Sequence, residues 1–245
     1  MVRQTQIRSL VHTMLYRPPK GTHLFTPVKT EHSSCSACLM RDKKMLLILV
    51  PRAANRNLRD HFPSVIYNIR GGYYESRNPQ HVPNRILKEQ LATYTCFACV
   101  RHPVLKLFSM YKTLLGSGGR EQWEQRLKDA EIKKDSTFYY FLNNFIDLED
   151  GHFTSQSDYV PRDANIMKLE TLYDDLSVYN NLYQWGLDVR TICATNKWRS
   201  ERKIIHKNIT QACVDMIAEK HKEDFERYGY TLDLQEIIDN ENYSV

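Results

Sequence analysis

TYTCFACVRHPVLKLFSMYKTLL, residues Thr93 to Leu115, joins an apolar run of strand length to a run with helical period. Tyr94 to Val100 is β-branched, aromatic and apolar, as a buried strand requires. His102-Pro103 ends it, and Pro103 suits a first helical position, where a missing N–H costs nothing. Val104, Leu107, Phe108, Tyr111 and Leu115 then recur at helical spacing and predict a core-facing stripe. Lys106, Ser109 and Thr113 are expected on the opposite, polar side. Arg101 sits at the strand–helix junction, so a guanidinium and the Ser109 hydroxyl come near one helix start at the carboxyl end of a strand. Open α/β sheets bind ligands there, and helix-start N–H groups favour anions. An ordinary β–α unit with a solvated polar face fits the same spacing.

Working outward, Met45 to Val50 (MLLILV) is a second strand, apolar throughout as a strand buried on both faces should be. It runs into Pro51-Arg52-Ala53-Ala54-Asn55-Arg56-Asn57-Leu58, a loop that opens a helix. Ser64 to Ile69 predicts a further strand, and Asn165 to Leu169 another. Helices are expected within Glu121–Lys134, Thr137–Ile146, Glu170–Leu187 and Ile209–Tyr228. QHVPNRILKEQL, which carries His81, reads as a loop leading into a short helix. Residues 1–44 are polar and broken by Pro18-Pro19, Gly21 and Ser33-Ser34, and are expected to form a mostly loop-like arm. Residues 45–230 would form the domain, and 231–245 a short polar tail.

Composition bounds the function. The 245 residues are 42% hydrophobic and 26% charged, ordinary values for a globular chain able to bury a core. A net charge of +5 favours anionic ligands without the dense basic stripe of a nucleic-acid binder. No aromatic–basic motif with nucleic-acid spacing is present, and no G-x-x-x-x-G-K-(S/T) phosphate loop. No run approaches the roughly 20 apolar residues of a membrane-spanning helix. Cys96 and Cys99 would point to opposite sheet faces, poor geometry for one metal, so no metal is expected. Cys35 and Cys38 are equally compatible with a disulfide and with free thiols.

Arg101, Pro103, Lys106, Ser109 and Tyr111 form R-x-P-x-x-(R/K)-x-x-S-x-Y, which resembles the 3′-phosphate motif of sulfotransferases, the carbohydrate type above all. Pro51 to Leu58 is similar to that family's 5′ loop, P-K-x-G-x-T-S-L, with Arg52 for the lysine, Ala54 for a glycine, Arg56 for a threonine and Asn57 for a hydroxyl residue. His152, Gln156 and Tyr159 resemble its H-x-x-(P/S)-Q-x-x-Y, and DFERYGY at 224–230 its closing D-F-x-x-(F/Y)-G-Y.

The resemblance implies a three-layer, P-loop-like α/β fold with a central parallel sheet. It implies transfer of a sulfonate group from 3′-phosphoadenosine 5′-phosphosulfate (PAPS) to a carbohydrate hydroxyl. Donor contacts would come from Pro51, Arg52, Ala53, Ala54, Asn55, Arg56, Asn57, Arg101, Ser109 and Lys207. His81 would be the general base, with Glu75 and His61 as alternatives, and Arg52 would stabilise the leaving phosphate. Glu75, His152 and Gln156 would line the acceptor site. A catalytically weak or inactive member that binds nucleotide or sulfated glycan is the alternative, because arginine is not equivalent to the family lysine. The chain as given has no N-terminal anchor, which suggests the cytoplasm, or the Golgi lumen if an anchor precedes it.

Overall fold

A computed structural model describes residues 36–62, 65–70, 73–76, 85–87, 93–116, 121–194 and 208–241. Seven described strands form one sheet: β1 (Ser36–Met40), β2 (Met45–Leu49), β3 (Val65–Arg70), β4 (Tyr73–Ser76), β5 (Arg85–Leu87), β6 (Thr95–Val100) and β7 (Asn165–Lys168), in the order β5-β4-β3-β1-β2-β6-β7. The helices are α1 (Asn55–His61), α2 (Pro103–Gly116), α3 (Glu121–Asp129), α4 (Phe138–Phe145), α5 (Leu172–Tyr183), α6 (Val189–Ala194), α7 (Gln211–Lys220), α8 (Lys222–Tyr228) and α9 (Leu234–Glu241). The protein is therefore α/β.

The sheet is mixed, which corrects the expectation of a central parallel sheet. Only β2, β6 and β7 pair in parallel. β1 pairs antiparallel with both β2 and β3, and β4 with both β3 and β5. The cause lies in the segment read as an N-terminal loop. Ser36 to Met40 is a buried strand that closes a hairpin on β2 through the exposed turn Arg41–Lys44. Lys44 takes a left-handed φ of 46° there and donates to Arg41 O at 3.2 Å. Lys43 Nζ then ties the turn to the end of α5, donating to Gln184 O and Trp185 O.

The parallel half positions the site. Leu47 pairs with Phe97 and Ile48 with Ala98, so the carboxyl ends of β2 and β6 lie side by side. Phe97 packs edge-on against Tyr179, Tyr183 and Trp185, burying one face of β6 under α5 and the residues after it. Such pairs add roughly 0.5–1.5 kcal/mol each beyond area burial. A second cluster gathers Val104, Leu107 and Phe108 of α2 with Phe138 and Phe141 of α4 and Val214 and Ile217 of α7.

Other differences are local. Arg85–Leu87 is a strand where a short helix was expected. The single C-terminal helix is two, α7 and α8, divided at His221. Gly229 ends α8 at φ 61°, a conformation glycine takes without the Cβ penalty. Residues 234–241, read as polar tail, form α9: the Asp233 carboxylate accepts from Glu236 N at 3.0 Å, and Ile237 and Ile238 are buried. Among the described residues no helix is long and apolar enough to cross a membrane.

Candidate functional site

Two loops leave the adjacent ends of β2 and β6, and their side chains meet. After β2, Arg52 and Ala54 both adopt left-handed backbone, φ 67° and 55°, and Ala54 leads into α1 without a side-chain cap bond. For residues other than glycine this conformation costs about 1–2 kcal/mol each. It turns the chain sharply and aims Arg52 across the sheet edge toward α2. Arg52 Nη2 donates to Ser109 O at 2.5 Å, to Ser109 Oγ at 3.0 Å and to Thr113 Oγ1. Arg101 Nη1 reaches back to Arg52 O at 3.4 Å. Two guanidinium groups and two hydroxyls therefore share one sheet edge.

The rest of the 51–57 loop divides. Pro51 and Ala53 are buried, Asn55 is half-buried and Arg56 is exposed. Asn57 Nδ2 donates to Ile192 O at 3.2 Å, tying α1 to α6 rather than facing α2. His61, an alternative base, lies in the last turn of α1 with Nδ1 2.8 Å from Asn57 O.

Arg101 is held by its main chain. Gln156 Oε1 accepts from Arg101 N at 2.9 Å while Gln156 Nε2 donates to Arg101 O at 2.8 Å. Gln156 is fully buried, so it clamps the end of β6 and does not line an acceptor surface, a correction to its expected role. The clamp is itself anchored by Asp224 of α8. Its carboxylate accepts from Gln156 N, Ser157 N and Gln156 Nε2 at 2.9, 2.8 and 3.3 Å. Arg227, one turn later, donates to Val160 O at 2.8 Å and to Pro161 O. The closing DFERYGY thus works through its charged residues as well as its aromatics.

Beside Arg101, His102 is buried; its Nε2 lies 3.0 Å from Thr231 O, and its backbone N–H donates to Glu170 Oε1 at 2.8 Å. Burial pushes its imidazole down to about 4, so it is neutral at pH 7 and adds no charge beside the Arg101 guanidinium. Glu170 lies between that N–H and the Tyr230 hydroxyl, which donates to Oε2 at 3.3 Å. Burial raises the Glu170 carboxyl, against the opposing pull of these bonds and of Arg101. Lys168, at the end of β7 and paired with Val100, places its ammonium 4.7 Å from the Tyr230 ring centre. Lys106, expected on the polar face of α2, is buried and donates to Thr154 O at 2.5 Å.

His152 is held by Asp150, Nδ1 to Oδ1 at 2.7 Å, and meets the Trp123 ring edge-on. Burial raises the Asp150 carboxyl, but the bonds from His152 outweigh it and the net shift is downward. The Glu75 backbone pairs with Asn68 and Arg85 in β4, three strand spacings from β2, or about 14 Å. That separation removes Glu75 from the Arg52–Arg101 edge. His81 and Lys207 lie outside the described residues.

Thr113, Asp224 and Glu170 were not read as site residues. Only the i, i+4 spacing of Ser109 and Thr113 could have pointed to the first, while Asp224 opens the resembled DFERYGY stretch without any sign there of its bonds to residues 156 and 157. The fold and edge define an α/β protein in which two arginines, Arg52 and Arg101, meet where two strand–helix loops cross. No family model, curated protein or solved structure matches the chain.

Proposed function

We propose that this protein is a PAPS-dependent sulfotransferase of the carbohydrate type, with a three-layer P-loop-like core, moving a sulfonate group to a carbohydrate hydroxyl. One observation carries the reading: Arg52 of the loop after β2 rests on Ser109 of the helix after β6, so the two stretches that resemble phosphate motifs converge. The residues suit the donor. Guanidinium groups fork onto phosphate oxygens, and hydroxyls complete the set. Arg52 already sits on oxygen acceptors, the kind of atom a phosphate would present. The bound donor would supply a sulfonate group activated as a phosphate–sulfate mixed anhydride.

Arg101 and Ser109 would then hold the 3′-phosphate, with Arg101 set by the Gln156 clamp. Arg52 would neutralise charge growing on the 5′-phosphate as its bond to sulfur breaks, an effect typically worth 10²–10³ in rate for one such group. His81 remains the proposed base for the acceptor proton. Calorimetry with adenosine 3′,5′-bisphosphate against AMP tests the donor site. Preference for the doubly phosphorylated nucleotide supports the reading, and equal or absent binding overturns it.

A second reading draws on the same contact. Arg52 stands where the resembled family has lysine, and it is bonded to the very hydroxyl assigned to the 3′-phosphate. A member that captures nucleotide or sulfated glycan without turnover would fit. Transfer of radiolabelled sulfonate to a mixed glycan panel separates the two, since binding without transfer favours this second reading.

A further inference from the structure

We infer that Thr113, beyond the resembled motif, is a positioning residue that seats the Arg52 guanidinium and, through it, directs the Ser109 hydroxyl toward a bound phosphate. The inference rests on the proposed donor site and adds a residue to it. Thr113 lies one helical turn after Ser109, on the same side of α2. Its hydroxyl donates to Ser109 O at 3.0 Å, the back-bond that hydroxyl residues make within helices. With its proton committed there, its oxygen turns lone pairs toward Arg52, whose Nη2 it accepts. The seat thus has three oxygens: Ser109 O, Ser109 Oγ and Thr113 Oγ1.

Such a seat answers two problems set by the sequence. Arginine has a long, rotamer-rich side chain, and here it springs from a left-handed backbone, φ 67°, in a sharp loop. Without fixed acceptors its charge would be spread over many positions. Ser109 gains a direction as well. A guanidinium has donors and no acceptor, so the Ser109 oxygen can only accept from Arg52. Its single O–H is left to donate elsewhere, and Arg101, whose Nη1 reaches Arg52 O, marks the neighbouring cationic position. Thr113 thereby couples the loop after β2 to the helix after β6 without touching nucleotide itself.

The test uses the full chain carrying Thr113→Val, which removes the hydroxyl and keeps the branched shape, and Thr113→Ser, which keeps the hydroxyl. Calorimetry with adenosine 3′,5′-bisphosphate should show affinity lowered about tenfold in the valine variant and restored to within about twofold in the serine variant. In an Arg52→Met background, Thr113→Val should have no further effect. Equal losses in both backgrounds, or unchanged affinity in the Arg52 protein, would overturn the inference. A ligand-free readout keeps it separate from the donor reading. Proton exchange at the Arg52 guanidinium, assigned by NMR from the signal lost in Arg52→Met, should accelerate at least tenfold with valine and stay unchanged with serine. Unchanged exchange with valine refutes the seat whatever the nucleotide does. If exchange accelerates while the bisphosphate fails to outbind AMP, Thr113 still seats Arg52 but the donor reading, and the phosphate-directing role that depends on it, fall.

Discussion

Replacing Gln156 with alanine should unfasten the end of β6. The side chain is fully buried and makes paired bonds with the Arg101 main chain, accepting from its N–H at 2.9 Å and donating to its C=O at 2.8 Å. Truncation leaves both half-buried Arg101 groups without those partners, at about 1–3 kcal/mol each. The Asp224 bonds to the backbone of residues 156 and 157 persist, which keeps the damage local. The sum is about 4 kcal/mol, a large part of the 5–15 kcal/mol that typically holds a domain together. At a urea dependence of about 2 kcal/mol per molar, the midpoint should fall by about 2 M. Gln156→Met, which restores volume without the amide, should leave that loss of about 4 kcal/mol largely in place, because the two unmet groups remain. Urea melts followed by circular dichroism measure both variants. A loss below about 1 kcal/mol for alanine, or a methionine variant as stable as the parent, would refute the clamp.

Arg101→Ala should abolish the calorimetric preference for adenosine 3′,5′-bisphosphate over AMP; unchanged discrimination would remove Arg101 from the donor site. His102 and His221 are buried and pushed down to about 4 and about 3, below the ordinary 6.5, His102 chiefly and His221 chiefly by desolvation. The unfolded chain therefore binds more protons below pH 6.5, and stability is lost as pH falls from there toward the folded values. His221→Asn should flatten that loss by about 1.4 kcal/mol per pH unit between roughly pH 6 and 4 in urea melts, because each fully coupled proton carries that slope. The raised carboxyls of Glu170 and Asp175 act in the opposite sense in both proteins and cancel in the comparison. Gly229→Ala, with open space around the added Cβ but φ at 61°, should cost about 1 kcal/mol by thermal melting. Ala54→Gly, at φ 55°, should change stability in the favourable direction.

Read along the chain, the residues determined β2, β6 and α2 and the junction between the last two. MLLILV and TCFACV are apolar on both faces, and PVLKLFSMYKTLLG has helical period; these signals are set within a few residues of each position. The same local reading missed β1, because SACLM is short and follows a polar stretch. It missed α9, whose two buried isoleucines stand among charges. Tertiary structure alone decided that β1 would pair with β2 and with β3, and so make the sheet mixed. It alone buried Lys106, turned Gln156 inward and set Arg52 on Ser109 and Thr113. Those partners lie 48 to 61 residues apart, and their pairing depends on which surfaces the packed sheet and helices bring together, a choice no local pattern of hydrophobicity encodes.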